Sequence, residues 1–195
     1  TPKPSSAASD VYKRQNYVWP QLLNKYARKV IEANGGEVVF EEYYPIDQPE
    51  YSATINKIRD GKVDCVFNTV IPPGLQPFMK QLFESGYTQR GGVQACVYFD
   101  ENSLNYVPAR ELEGVYSCLD FFHTVDDPFS KELLAAYAKK FPSTKFQFTA
   151  GSAATGMYRG IRLYEAAVIA TKGELARDAV SAALAALAAD GVACL

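Results

Sequence analysis

The sequence predicts an α/β fold, a doubly wound parallel sheet, and three observations carry that prediction. Short β-rich runs at Val38–Tyr44, Val63–Val70, Val93–Phe99 and Gly114–Phe122 alternate with longer segments of helical periodicity. The run Val63-Asp64-Cys65-Val66-Phe67-Asn68-Thr69-Val70 is almost continuously apolar, as expected of a parallel strand covered on both faces. Glycine or proline punctuates nearly every junction, at Gly35-Gly36, Pro45, Gly61, Gly86 and Pro128. Such alternation argues for a sheet with helices on both sides.

Each element follows from local pattern. Gln21 to Ala33 carries Leu22, Leu23, Tyr26, Ala27, Val30 and Ile31 at helical spacing, all expected inward, and Asn34-Gly35-Gly36 stops the helix. Val38 to Tyr44 is β-rich and ends at Pro45. Tyr51 to Arg59 is a helix with Ile55 and Ile58 inward, closed by Asp60-Gly61. After the Val63–Val70 strand, Gly74 to Ser85 is helical up to Gly86, and Val93 to Phe99 is the next strand. Gly114 to Phe122 is a further strand, and Pro128 starts a helix that runs to Phe141. Phe146 to Gly151 reads as a crossing segment before long helices at Ala153–Thr171 and Leu175–Ala189.

Composition narrows the function. Twenty basic and 22 acidic residues give a formal net charge of −2, which offers no field for nucleic acid or an anionic membrane. No apolar run reaches the ~18–20 residues of a membrane helix, because Arg177, Asp178 and Ser181 interrupt the Ala-rich segment that Asp190 closes. Cys65, Cys96, Cys118 and Cys194 form no Cys-x-x-Cys pair; the first three lie in strand-like runs and are expected as buried thiols. His123 is the only histidine, which excludes a metal site built on paired imidazoles. Gly151-Ser152-Ala153-Ala154-Thr155-Gly156 has phosphate-loop spacing, but Met157-Tyr158 stands where Lys-Ser/Thr should follow. Asp126 and Asp127 before Pro128 suit a helix cap better than a catalytic pair. No enzyme motif and no cofactor site emerge.

Two segments give the chain its character. Asp10-Val11-Tyr12-Lys13-Arg14-Gln15 matches the translation of a transposase adaptor used in sequencing libraries, so residues 1–15 are expected to be a non-native or disordered leader. Asn16-Tyr17-Val18-Trp19-Pro20, the following helix, Asn34-Gly35-Gly36, a strand and Tyr43-Tyr44-Pro45 come next. In that order they resemble the second lobe of type I periplasmic solute-binding proteins, the branch for short-chain amides, urea and branched-chain amino acids. The resemblance runs from Asn16 to about Leu187. It implies a Rossmann-like lobe over 16–146, and over 147–195 a return toward a first lobe that is absent, with helices whose apolar faces belong to it. It also implies that Asn16–Pro20 leaves a strand missing from this sheet, whose place the adaptor-like residues take.

The resemblance further implies a function. Such a protein holds a small polar nutrient (a short-chain amide, urea or an amino acid) between two hinged lobes, is periplasmic or extracellular, and serves a membrane permease of an ABC transporter. The loops at 71–74 and 99–103 are where an α/β sheet of this kind binds. Carried over residue by residue, the ligand wall comprises Tyr17 and Trp19 on one loop, Ile71 and Pro72 after one strand, and Tyr98 at the end of the next. Aromatic rings there give broad apolar contact and a polar edge that orients a carbonyl or amide. The sequence departs from the family pattern twice: Pro72-Pro73 replaces a Gly, often Gly-Asp, and Tyr98 replaces a small hydroxyl residue. Proline removes an N–H donor where glycine would let backbone approach a ligand. Asp100 is placed to meet a ligand amine or to cap the following turn. A ligand-sensing regulatory or receptor domain of the same fold is the alternative. A small enzyme or receiver domain would need an acidic cluster or glycine-rich loop that Asn16–Pro20 does not supply.

Overall fold

The structure, a computed structural model, describes residues 4–10, 18–145, 148 and 151–189. Among these, β1 (Pro4–Asp10), β2 (Glu41–Tyr44), β3 (Cys65–Thr69), β4 (Val93–Cys96) and β5 (Val115–Ser117) form one sheet in the order β2-β1-β3-β4-β5. Every pairing is parallel. The helices are α1 (Val18–Ala33), α2 (Ser52–Asp60), α3 (Leu75–Glu84), α4 (Pro128–Lys140), α5 (Gly151–Ala170) and α6 (Arg177–Ala189). The chain divides into two units, Thr1–Leu119 and Asp120–Leu195.

The expectation of a missing first strand is overturned. Pro4–Asp10 pairs with β2 from Ala7↔Glu41 to Asp10↔Tyr44 and with β3 through Ala7↔Phe67, Ala8↔Asn68 and Ser9↔Thr69, so it lies inside the sheet. The physical reason is that a parallel ladder is made by backbone N–H and C=O groups, which a Ser/Ala run supplies as well as any other. Without β1, the facing sides of β2 and β3 would each carry a row of unpaired backbone groups.

The two faces of the sheet are covered by different helices, which makes the winding double. Val66 and Asn68 are buried on one face, where the Asn68 amide reaches Met79 Sδ of α3 at 3.7 Å. Phe67, pointing the other way by the period of two, lines a small cavity with Asn24, Ala27 and Ile31 of α1. The α3 face holds the core: Ile55 and Ile58 of α2 and Leu75, Phe78, Met79 and Leu82 of α3 are all buried with Val66 and Val70. Tyr51 stands at its edge, with edge-to-face contacts to Tyr44 and Phe78 at centroid distances of 5.1 Å each. Gln81 clasps the entry to α2, accepting from the Tyr51 N–H at 2.7 Å and donating to the Pro49 carbonyl at 2.9 Å.

Helix α1 turns differently from its periodicity. Leu22, Tyr26 and Val30, expected inward, are exposed with Val18, while Pro20 and Asn24 are buried and Leu23, Ala27 and Ile31 half-buried. Apolar residues occupy more than one face of this helix, and the face that meets the sheet carries Asn24, Ala27 and Ile31, with Arg28 on the same side paired to Glu41 of β2 at 3.0 Å. The cysteine expectation also needs correction. Cys96 is buried and Cys65 half-buried, but Cys118 lies just beyond β5 and is exposed; all three are free thiols, and Cys194 lies outside the described residues.

The second unit is built on α4, α5 and α6. Pro128 opens α4, and Asp127 caps it by accepting from the Ser130 N–H at 2.9 Å. Asp126 pairs with Lys131, so the two carboxylates are helix-start residues. Phe121, Tyr137, Phe141 and Phe148 form a chain of ring contacts at 5.1–5.6 Å. Asp120 accepts from Thr155 Oγ1 at 2.9 Å and Arg159 Nη1 at 3.2 Å, and that guanidinium lies 4.4 Å over the Phe129 ring. Ala167 of α5 and Val180 of α6 are buried, whereas Met157, Ile161, Tyr164 and Ile169 of α5 are exposed. Because α5 begins at Gly151, the phosphate-loop look-alike is helix.

Two tests follow from this packing. A Cβ at Gly74 would meet Tyr51 Oη at 2.7 Å and the Ile46 carbonyl at 2.9 Å, so Gly74→Ala should destabilise the protein by about 1–3 kcal/mol in urea unfolding. Burial pushes the Glu42 carboxyl up, but hydrogen bonds from Lys57, Tyr44 and Thr54 outweigh it and hold its pKa below the usual value of 4.5. A carboxylate depressed in the folded state contributes stability that is present above pH 4.5 and lost as pH falls through the folded value. Glu42→Gln should therefore show a smaller fall in urea midpoint between pH 7 and pH 3 than the parent chain.

Candidate functional site

In the order β2-β1-β3-β4-β5 the chain leaves β1 toward β2 on one side and, later, β3 toward β4 on the other, so the order reverses between β1 and β3. The crevice at the carboxyl ends of these two strands is where open α/β sheets take ligands. Among the described residues, the loops there are 70–74 after β3 and 97–100 after β4. Because β3 and β4 are adjacent and in register, Asn68 opposite Cys96, these loops leave the sheet side by side. This brings Ile71 and Pro72 to the same edge as Tyr98.

Buried polar side chains shape this edge. Asn68 is fully buried; its amide donates to Gln94 Oε1 at 3.2 Å and its carbonyl oxygen accepts from the Val70 N–H at 2.9 Å. The second bond turns the chain out of β3 into Ile71. Cys96, on the same face, is pushed up to about 12 by burial, with Cys65 adding to the shift, so its thiol stays neutral and acts as packing. On the far side, the Ser117 hydroxyl donates to the Phe99 carbonyl, tying β5 to the β4 loop. Asn68, Gln94 and Ser117 escaped the sequence reading. Their signal was present in the first two, as lone amides inside apolar strands, where each must find a partner.

The expected ligand residues fall out as follows. Tyr98 is 48% exposed just beyond β4, with its ring available at the edge. Ile71 is half-buried and Pro72 exposed, in a Pro72–Pro73 segment whose peptide bond is cis. Asp100 caps the 3-10 helix Glu101–Asn105 by accepting from the Asn102 N–H at 3.0 Å, so the capping role is real. Burial raises its pKa, partly offset by the backbone bond from Asn102. Trp19, expected on a loop with Tyr17, instead sits in the first turn of α1, 38% exposed, because Pro20 suits an early helical position. Tyr17 lies outside the described residues. His123 is a half-buried turn residue of the second unit. No group of three or more metal-ligating side chains exists among the described residues, and no helix among them is long and apolar enough to cross a membrane.

The fold is a doubly wound parallel sheet whose topological switch point lies between β1 and β3. The family of periplasmic binding proteins matches residues 11–194, and the chain belongs to that family. The matched region begins just after β1. No curated protein sequence matches. Among solved structures, an ABC transporter substrate-binding protein from Sphaerobacter thermophilus is similar with a TM-score of 0.76 at 21% identity, over 93% of this chain and 48% of that one. A solute-binding protein of an ABC transporter from Rhodopseudomonas palustris BisB5, in complex with 3,4-dihydroxybenzoic acid, matches at 26% identity and TM-score 0.66, over 92% and 47%. The leucine-, isoleucine-, valine-, threonine- and alanine-binding protein of Brucella ovis, in its closed conformation, matches at 19% and 0.72, over 92% and 44%. The chain thus spans about half the length of the structures it resembles.

The edge can be probed through Asn68. Asn68→Ala would strip the partner from Gln94 Oε1 and from the Val70 N–H, both buried, and should cost about 2–4 kcal/mol in urea unfolding. Asn68→Asp, which keeps the acceptor for Val70 and while protonated can still offer one O–H to Gln94, should fall between parent and alanine variant at pH 5 and drop further at pH 8, where ionisation buries a charge and removes that donor.

Proposed function

We propose that this chain forms one ligand-binding lobe of the solute-binding component of an ABC transporter. The observation that carries the reading is the reversal of strand order between β1 and β3 in a chain of the periplasmic binding protein family. At that edge the exposed Tyr98 and Pro72 provide an apolar wall, with Asp100 behind. Residues from about 16 to 146 supply the lobe and those from 147 onward lead to a partner lobe, on which the exposed face of α5 packs in the whole protein. The two lobes close on the solute by hinge motion, and a membrane permease receives it. The location is periplasmic or extracellular.

The ligand we infer is a small amino acid, amide or aromatic carboxylate. Two similar structures support that range: the protein from Rhodopseudomonas palustris is in complex with 3,4-dihydroxybenzoic acid, and the one from Brucella ovis is named for binding leucine, isoleucine, valine, threonine and alanine. Pro72-Pro73 and Tyr98 favour the larger members, because a proline pair offers no N–H and a phenol ring offers a flat contact. Urea, which depends almost wholly on donors and acceptors, fits this wall least.

Calorimetry against branched-chain amino acids, benzoates, short-chain amides and urea tests the reading. A protein of the relatives' length carrying this lobe should bind one of them at micromolar Kd, and Tyr98→Ala there should weaken binding about 10- to 100-fold. The chain by itself, with half of the closing contacts, should give no measurable heat at micromolar concentration. Micromolar binding by this chain alone, or unchanged affinity in the Tyr98→Ala protein, would overturn the assignment of the edge.

A further inference from the structure

We infer a second site, for a small polyanion carrying phosphate or carboxylate groups, at the opposite edge of the same sheet. A cavity of about 370 Å³ opens at the amino-terminal ends of β3 and β4, away from the crevice at their carboxyl ends. Its volume is in the range that small-molecule sites occupy. Tyr87 forms its floor, buried and held by a hydrogen bond from its hydroxyl to the Val93 carbonyl at 3.1 Å. The ring is pressed against Gly92, where a Cβ would come within 2.4 Å of it. The floor is therefore rigid and cannot collapse into the space.

The rim is cationic. Arg59, Lys62 and Arg90 line the cavity against a single acidic residue, Asp64, on a chain whose formal net charge is negative. Arg59 pairs through Nε with neighbouring Asp60 at 3.0 Å, an exposed contact of little strength that leaves the guanidinium in the rim. Arg90 donates one N–H to the Ser85 carbonyl at 2.9 Å, which fixes its direction while its fork keeps further donors. With Asp60 beside Arg59 and Asp64 on the lining, the rim keeps an excess of positive charge, which favours an anion in the concavity.

Lys62 supplies the independent observation. Helix α2 ends with Lys62 N–H bonded to the Arg59 carbonyl (3.2 Å) and Val63 N–H to the Ile58 carbonyl (3.1 Å), which puts Lys62 at the left-handed position of the closing motif with φ of 50°. Glycine is the favoured residue there, and a glycine stands one place earlier at Gly61, in right-handed conformation. A long cationic side chain is thus held at a strained backbone position on the rim of a cavity. That is unfavourable for stability alone and sensible for a site that needs the charge.

The test uses the full chain, with citrate and inorganic pyrophosphate as probes at constant ionic strength, read by thermal unfolding and calorimetry. Both ligands should raise Tm by several degrees along a curve that saturates at millimolar concentration. Lys62→Gly should raise Tm without ligand, since strain is relieved, and reduce the ligand-dependent rise at least several-fold; Arg90→Gln should reduce it too. A structural role for Lys62 predicts the first change without the second. A rise that grows linearly without saturation, or one equal in Lys62→Gly and parent, is general salt exclusion and would overturn the site, as would no rise at all. Neither outcome bears on the solute crevice, which lies at the other edge.

Discussion

The backbone ladder of β1 is the constraint on which the rest depends. Flanked on both sides by parallel partners, it sets the spacing of β2 and β3 and so creates the point where the strand order reverses. Without a strand there, β2 and β3 would have no common partner and the order would not reverse between them. The bonds that do this come from main-chain groups, so they place almost no demand on side chains. Everything more selective, from the α3 core to the buried amides, is arranged around that frame.

The core and the crevice are joined through a few polar side chains. Asn68 faces α3 through Met79, reaches Gln94 across the sheet, and accepts the N–H that starts the turn into Ile71. Packing on one face is thereby coupled to loop geometry at the edge. Gln81 does the same at the entry to α2, and Gly74 allows the loop to close on Tyr51. In a low-dielectric interior such bonds are costly to break, which is why they hold loops better than apolar contact does.

The two edges of the sheet differ in chemistry. The carboxyl edge presents Tyr98 and Pro72 at the surface with the capping carboxylate of Asp100. The amino edge gathers three cations over a tyrosine floor. The outer stripe of α1, with Val18, Leu22, Tyr26 and Val30 exposed, and the open face of α5 are the main apolar surfaces of their respective units.

Much of the architecture was legible from residues alone. Period-two and period-3.6 patterning located four strands and six helices to within a few residues, because burial on a sheet face or helix stripe leaves an unmistakable spacing of apolar side chains. The capping role of Asp127, the inward Ile55 and Ile58, and the edge loops at 71–74 and beyond Phe99 were likewise written in residue type. What the chain order concealed was whatever depends on neighbours distant in sequence. A strand of serine and alanine carries no periodic signal, so β1 was visible only once its partners were assembled. Which apolar stripe of α1 turns inward, with Leu23, Ala27 and Ile31 half-buried and Leu22, Tyr26 and Val30 exposed, was decided only against the assembled sheet, and the exposure of Cys118 by the shortness of β5. Local spacing determines which elements form; long-range hydrogen bonds and charges decide how they are placed against one another.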